Sequence, residues 1–175
     1  DAKRLAKVSA TEEEKRFSQL KANQIYTYLS NMGFYKPIVV DSGNGSHLYY
    51  RIGMENNAEN TALIKSFLEA FSLMFSDDKV DVDTVVYNPS RITKLAGTVA
   101  VKGANTKDRP HRESKIQTVP QEIKINSVAL IKKVADIMPV PEAPTYRNNY
   151  NSSSFDLRNF LNEHHIEIEK EVALT

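Results

Sequence analysis

Apolar residues return at helical spacing in three places along the chain. Phe17, Leu20, Ile25, Tyr28, Leu29 and Met32 line one face of a segment that begins at Thr11 and reaches Gly33. Thr11 followed by Glu14 has the form of a capping box, so the pattern predicts a helix over 11–32 with Gly33 as its stop. Leu63, Ile64, Phe67, Leu68, Phe71 and Phe75 predict a second helix over 60–75. Val128 to Ile137 predicts a third, ended near Pro139.

Between the helices the period changes. Pro37 to Val40 and Ser46 to Ile52 read as strands joined by Asp41-Ser42-Gly43-Asn44-Gly45, a turn rich in residues that tolerate positive φ. Val80 to Tyr87 reads as extended, Pro89 to Leu95 as a turn or a single helical turn, and Gly97 to Lys102 and Lys115 to Val119 as strands. Helices mixed with hairpins predict an α+β domain rather than a doubly wound one, over residues 1–138. The composition then shifts: prolines, asparagines and three consecutive serines mark 139–154 as a linker, and 155–175 reads as a helical tail or the start of a further domain.

Composition narrows the picture modestly. The chain has 175 residues and a formal net charge of +1, so overall charge does not identify a partner. Local charge is uneven. From Arg91 to Lys115 seven Lys/Arg stand against Asp108 and Glu113, and from Glu55 to Asp83 seven acids stand against Lys65 and Lys79. A basic groove beside an acidic pocket would produce this asymmetry, and so would two solvated faces. The absence of cysteine excludes disulfides and thiolate zinc sites and suits a reducing cytoplasm. No apolar run approaches the ~20 residues of a membrane span, and no signal peptide is visible.

Four segments carry candidate chemistry. In the first, the glycines around Asn44 let backbone approach a ligand, and His47 and Tyr49 fall on one strand face. Histidine beside free N–H groups suits a phosphate oxygen, although a plain hairpin with a core histidine has the same pattern. In the second, Asp81 and Asp83 alternate onto one side, as a cation site or an exposed acidic edge would have them. The third, Asn88-Pro89-Ser90-Arg91-Ile92-Thr93-Lys94-Leu95-Ala96-Gly97-Thr98 and on to Lys102-Gly103, gathers cations suited to a triphosphate. The fourth, Arg109-Pro110-His111-Arg112, is a basic loop stiffened by proline, open to nucleic acid or to water. There is no Walker-type loop, no dinucleotide fingerprint and no nucleophilic triad. The pair His164-His165 reads as surface, because adjacent helical residues do not face the same way.

In this order, DSGNGSHLYY at 41–50, DTVVYNPSRITKLAGT at 83–98, KG at 102–103 and RPHR at 109–112 resemble the archaeo-eukaryotic primase superfamily. The likeness covers residues 1 to about 120 and is nearest to bacterial, phage and plasmid primase-polymerases, including CRISPR-associated versions. It implies a primase-type fold, an RRM-like mixed sheet with flanking helices, and template-dependent nucleotidyl transfer with two Mg²⁺ or Mn²⁺ ions. On that likeness Asp1 and Asp83 would bind metal and act with His47 in catalysis. Ser42, Gly43, Asn44, Gly45, His47, Arg91, Lys94 and Lys102 would hold the nucleoside triphosphate. Lys107, Arg109, His111 and Arg112 would meet single-stranded DNA. Asp1-Ala2-Lys3-Arg4 fits the family's D-P-x-R-like stretch with Asp1 as the second aspartate of the D-x-D, so the first aspartate and its strand would stand upstream of Asp1. The partners implied are a fused or associated helicase, a primase accessory domain or a CRISPR adaptation protein. The alternatives are a non-catalytic module that binds nucleotide or single-stranded DNA on a degenerate primase fold, and a DNA-binding initiator domain.

Overall fold

The computed structural model describes residues 7–137 and 163–164. The chain divides into two units, Asp1–Val140 and Pro141–Thr175. The linker and tail expected after 138 lie outside the described residues, save for Glu163 and His164, both exposed. Among the described residues no helix is long and apolar enough to cross a membrane.

The first unit is mixed α+β. Helix α1 (Glu12–Asn31) opens with the capping box read from sequence: Glu14 N–H donates to Thr11 Oγ1 at 3.1 Å and Thr11 N–H to Glu14 Oε2 at 2.8 Å. Glu12, Glu13 and Glu14 put negative charge on the positive end of the helix dipole. Gly33, at φ +95, turns the chain out of the helix, and Phe34 N–H returns to the Leu29 carbonyl at 3.0 Å. Strands β1 (Ile38–Asp41) and β2 (Ser46–Tyr49) form the expected hairpin. Helix α2 (Ala58–Phe75) starts two residues before the expected Asn60, because the Asn57 side chain caps it through Asn60 N–H at 2.9 Å. The segment expected to be extended to Tyr87 closes instead into a 3₁₀ turn at Val85–Tyr87, where Asp83 Oδ1 accepts Val85 N–H at 3.0 Å. Strands β3 (Val99–Ala100), β4 (Arg112–Glu113) and β5 (Lys115–Thr118) precede α3 (Val128–Ala135), which Ser127 caps.

Two antiparallel sheets result. One has the order β2-β1-β5, with an irregularity between Val39 and Val40, and the other pairs β3 with β4. Ser114, fully buried, joins them: its hydroxyl donates to the Asp41 carbonyl at 3.0 Å and its N–H to the Thr98 carbonyl at 2.9 Å. Leu29, Phe34, Ala70, Phe71, Ile131 and Val134 form the core between α1, α2 and α3. Phe71 meets Tyr28 edge-on at 6.1 Å, Phe67 at 4.8 Å and Phe75 in a stack at 5.5 Å, in the range where aromatic pairs attract. Asn126, 1% exposed, ties the chain after β2 to the chain before β1 by accepting Tyr35 N–H and donating to the Arg51 carbonyl.

Candidate functional site

A cleft of about 570 Å³ runs along the outer edge of β2, between α1, α2 and the segments 80–83 and 86–93. Its lining combines core side chains such as Ile25, Phe67 and Phe71 with Lys21, His47, Asp81, Asp83, Arg91 and Thr93. Three of the sequence-derived candidates, His47, Asp83 and Arg91, therefore border one cavity. Strand alternation puts His47 on the face of β2 that it shares with Tyr49, opposite Val40 and Ile38 on β1.

Burial lowers the His47 pKa from its ordinary 6.5, against the opposing pull of Asp83 and Asp41. Burial thus favours the neutral imidazole. Its Nδ1 lies 2.9 Å from the Tyr49 hydroxyl, which lies 2.8 Å from Thr93 Oγ1. This chain joins β2 to the turn that carries Arg91. Tyr50 also lines the cleft; its hydroxyl is buried without a hydrogen-bond partner among the described residues, and burial raises its pKa.

The glycine-rich turn faces protein rather than the cleft. Residues 41–45 are all buried. Ser42 N–H donates to the Gly45 carbonyl at 2.9 Å, Gly43 N–H to Asp41 Oδ1 at 2.8 Å and Asn44 N–H to Ser42 Oγ at 3.4 Å. Asn44 Oδ1 accepts Ala10 N–H at 2.7 Å. Gly43 sits at φ +83, and a Cβ there would lie 2.8 Å from the Arg112 carbonyl oxygen and 3.0 Å from Ala100 Cβ. The close backbone approach that glycine permits is made to β4 and β3. Asp41 is held at the end of the turn by Lys15, at 2.7 Å.

The remaining basic candidates are distributed more widely. Lys94 Nζ donates to the Val99 carbonyl at 2.8 Å, and the Lys102 carbonyl accepts the Ser9 hydroxyl; neither side chain lines the cleft. Arg109 forms a bidentate pair with Glu14 at 2.8 and 3.0 Å and donates to the Ser9 carbonyl at 2.7 Å. Arg112 donates to Glu12 through Nε and NH2 and to the Ala10 carbonyl at 2.7 Å. His111 Nε2 lies 2.9 Å from the Gly103 carbonyl, and Lys107 is exposed. RPHR therefore clasps the start of α1, and its last residue begins β4.

Asp1 lies outside the described residues, so its relation to Asp83 is not described. Among the described residues no group of three or more His, Cys, Asp or Glu is arranged to hold a metal ion. Asp81 and Asp83 supply hard oxygen donors at the cleft, half of the donor chemistry a divalent cation takes when phosphate oxygens and water complete its shell. Lys15 and Lys21 lie outside the segments singled out from sequence, and Tyr49, Tyr50 and Thr93 lie inside them but had no role assigned. The alternation of His47 with Tyr49 was the one signal that could have marked Tyr49. No family model, no curated protein and no solved structure matches the chain.

Proposed function

We propose that this chain is the catalytic part of a template-dependent nucleotidyltransferase of the archaeo-eukaryotic primase type, making primers or extending DNA on an RRM-like fold. The observation that carries the reading is the meeting of His47, Asp83 and Arg91, from three separate segments, around one cleft of nucleotide size. A neutral His47 and the guanidinium of Arg91 are donors suited to the oxygens of a triphosphate, and Asp83 is a carboxylate suited to its cation. Bound Mg²⁺ or Mn²⁺ would supply activation of the attacking 3′-hydroxyl and neutralisation of the leaving pyrophosphate, with Asp83 and Asp1 as ligands. Lys94, three residues after Arg91, and the exposed Lys107 carry positive charge suited to a template backbone, while Arg109 and Arg112 hold α1 in place.

A second reading is a non-catalytic module that binds nucleotide or single-stranded DNA. It is favoured by the donors at the cleft, since His47 and Arg91 can hold an anionic ligand without any catalytic step. A primer-extension assay with labelled deoxynucleotides and Mn²⁺, run beside a nucleotide titration, separates the two. Incorporation that Asp83→Asn abolishes, with nucleotide binding retained, supports the enzyme. Binding without incorporation in the parent chain supports the module. Failure to bind any nucleotide overturns the enzyme, and failure to bind single-stranded DNA as well overturns the module.

A further inference from the structure

We propose that Thr93 and Tyr49 are positioning residues for His47: their hydroxyls form a directed relay, Thr93 to Tyr49 to His47 Nδ1, that fixes the imidazole with its proton on Nε2, as a neutral donor for an anionic oxygen in the cleft. The three atoms stand in line at 2.9 and 2.8 Å. Both distances are those of full hydrogen bonds.

The direction of the relay follows from the groups' chemistry. Imidazole nitrogen is the strongest base of the three, and a phenol is a better donor than an aliphatic hydroxyl. The Tyr49 proton therefore goes to Nδ1, and the Tyr49 oxygen accepts from Thr93. A neutral imidazole that accepts at Nδ1 must carry its hydrogen at Nε2. The surroundings keep the ring neutral. Burial disfavours the cation, and the charged groups that share the cleft, Lys21, Asp81, Asp83 and Arg91, together with Asp41 across β1, are of both signs. His47 and Tyr49 also meet edge-to-face at 5.6 Å, which restrains rotation of the imidazole.

The relay has a second effect. Thr93 is two residues from Arg91, in an exposed stretch from Arg91 to Thr93, and its bond to Tyr49 fastens that stretch to β2. His47 and Arg91 are thereby held as one pair of donors. The assignment of a phosphate oxygen as their acceptor rests on the nucleotide reading above, whereas the relay itself does not.

The test uses the full chain with labelled histidine, and long-range proton–nitrogen spectra recorded above neutral pH without ligand. His47 is expected as a single form with a bare Nδ1 and a protonated Nε2. Tyr49→Phe is expected to bring up a second population with the proton on Nδ1, and Thr93→Val a smaller one, while Thr93→Ser keeps the parent spectrum. A protonated Nδ1 in the parent chain, or one unchanged tautomer in Tyr49→Phe, overturns the relay. A titration with MnATP on the same variants asks the separate question of what the donor meets. Affinity is expected to fall about 5-fold in Tyr49→Phe, in the range of one lost hydrogen bond. The same change made in a His47→Ala background should have no further effect. An undiminished loss there overturns the positioning role. An intact tautomer result with no nucleotide binding leaves the relay standing and overturns the nucleotide reading.

Discussion

Arg109 closes a bidentate ion pair onto Glu14, 95 residues earlier in the chain, and Glu14 is at the same time the third helical residue of the α1 capping box. One carboxylate thus serves the helix start and the basic loop together. Glu14→Ala is expected to destabilise the fold by about 1 kcal/mol through the lost cap, and it leaves the Arg109 guanidinium with only the Ser9 carbonyl to accept from it among the described residues. Arg109→Ala should lower the melting temperature in the same direction, and the double variant should lose less than the two singles combined. Single-stranded DNA affinity measured on the same variants should stay near that of the parent, because Arg109 acts on α1.

Gly43 should tolerate no side chain. Alanine there meets a left-handed backbone at φ +83 and a carbonyl oxygen 2.8 Å away. Strain of this kind costs about 1–3 kcal/mol before the contact is counted. Gly43→Ala is expected to unfold earlier in urea, and to disturb β3 and β4 amide signals before those of the cleft. Gly33→Ala carries the same backbone strain in open space and should be the milder change.

Phe71 is the central ring of the helical core, 3% exposed and in contact with Tyr28, Phe67 and Phe75. Phe71→Ala is expected to cost about 3–5 kcal/mol in chemical unfolding. Leu73, on the same helix but 66% exposed, should lose well under 1 kcal/mol on the same substitution.

Acid should weaken the tether between α1 and the turn after α2. The Lys21 ammonium at 2.7 Å, then the N–H groups of Lys79 and Val80, hold the Asp77 carboxyl well below its ordinary 3.8. A carboxylate depressed in the folded state adds stability above its unfolded value and loses it as pH falls through the folded one. Asp77→Asn should therefore be less stable than the parent chain near neutral pH, and the gap should narrow as pH falls below 3.8. Urea unfolding at a series of pH values checks this.

Elements held by local signals were legible in the sequence. Thr11 and Glu14 marked the start of α1, Gly33 its end, and Asp41 to Gly45 the hairpin, all through contacts within a few residues. The helix expected over 128–137 was marked by its apolar stripe and ends two residues sooner, at Ala135. What escaped were features made by distant partners. RPHR has the composition of a solvated loop, and only the nearness of Glu12 and Glu14 turns Arg109 and Arg112 into braces for a helix. The glycines of the turn announced a close approach, but whether a phosphate or a strand approaches is decided by β4, about 70 residues later. At the cleft, residue types pointed to His47, Asp83 and Arg91, while Thr93 gave no sign of its bond to Tyr49 because that bond spans 44 residues.

The pairing of β5 with β1 sets an order of assembly. Asp41 and Ser114, joined at that seam, are 73 residues apart, and α2 and the wall of the cleft from Asp81 to Thr93 lie inside the loop so closed. Closing such a loop costs entropy before any contact repays it. The α1 helix and the β1–β2 hairpin can form as soon as they leave the ribosome, but the sheet gains its third strand only after residue 118 has been made. At synthesis rates of about 5–20 residues per second, β1 waits several seconds with one edge uncovered. During that interval the nascent chain exposes a pairing-competent strand before its cleft has formed, and this is the stage at which a chaperone would matter most.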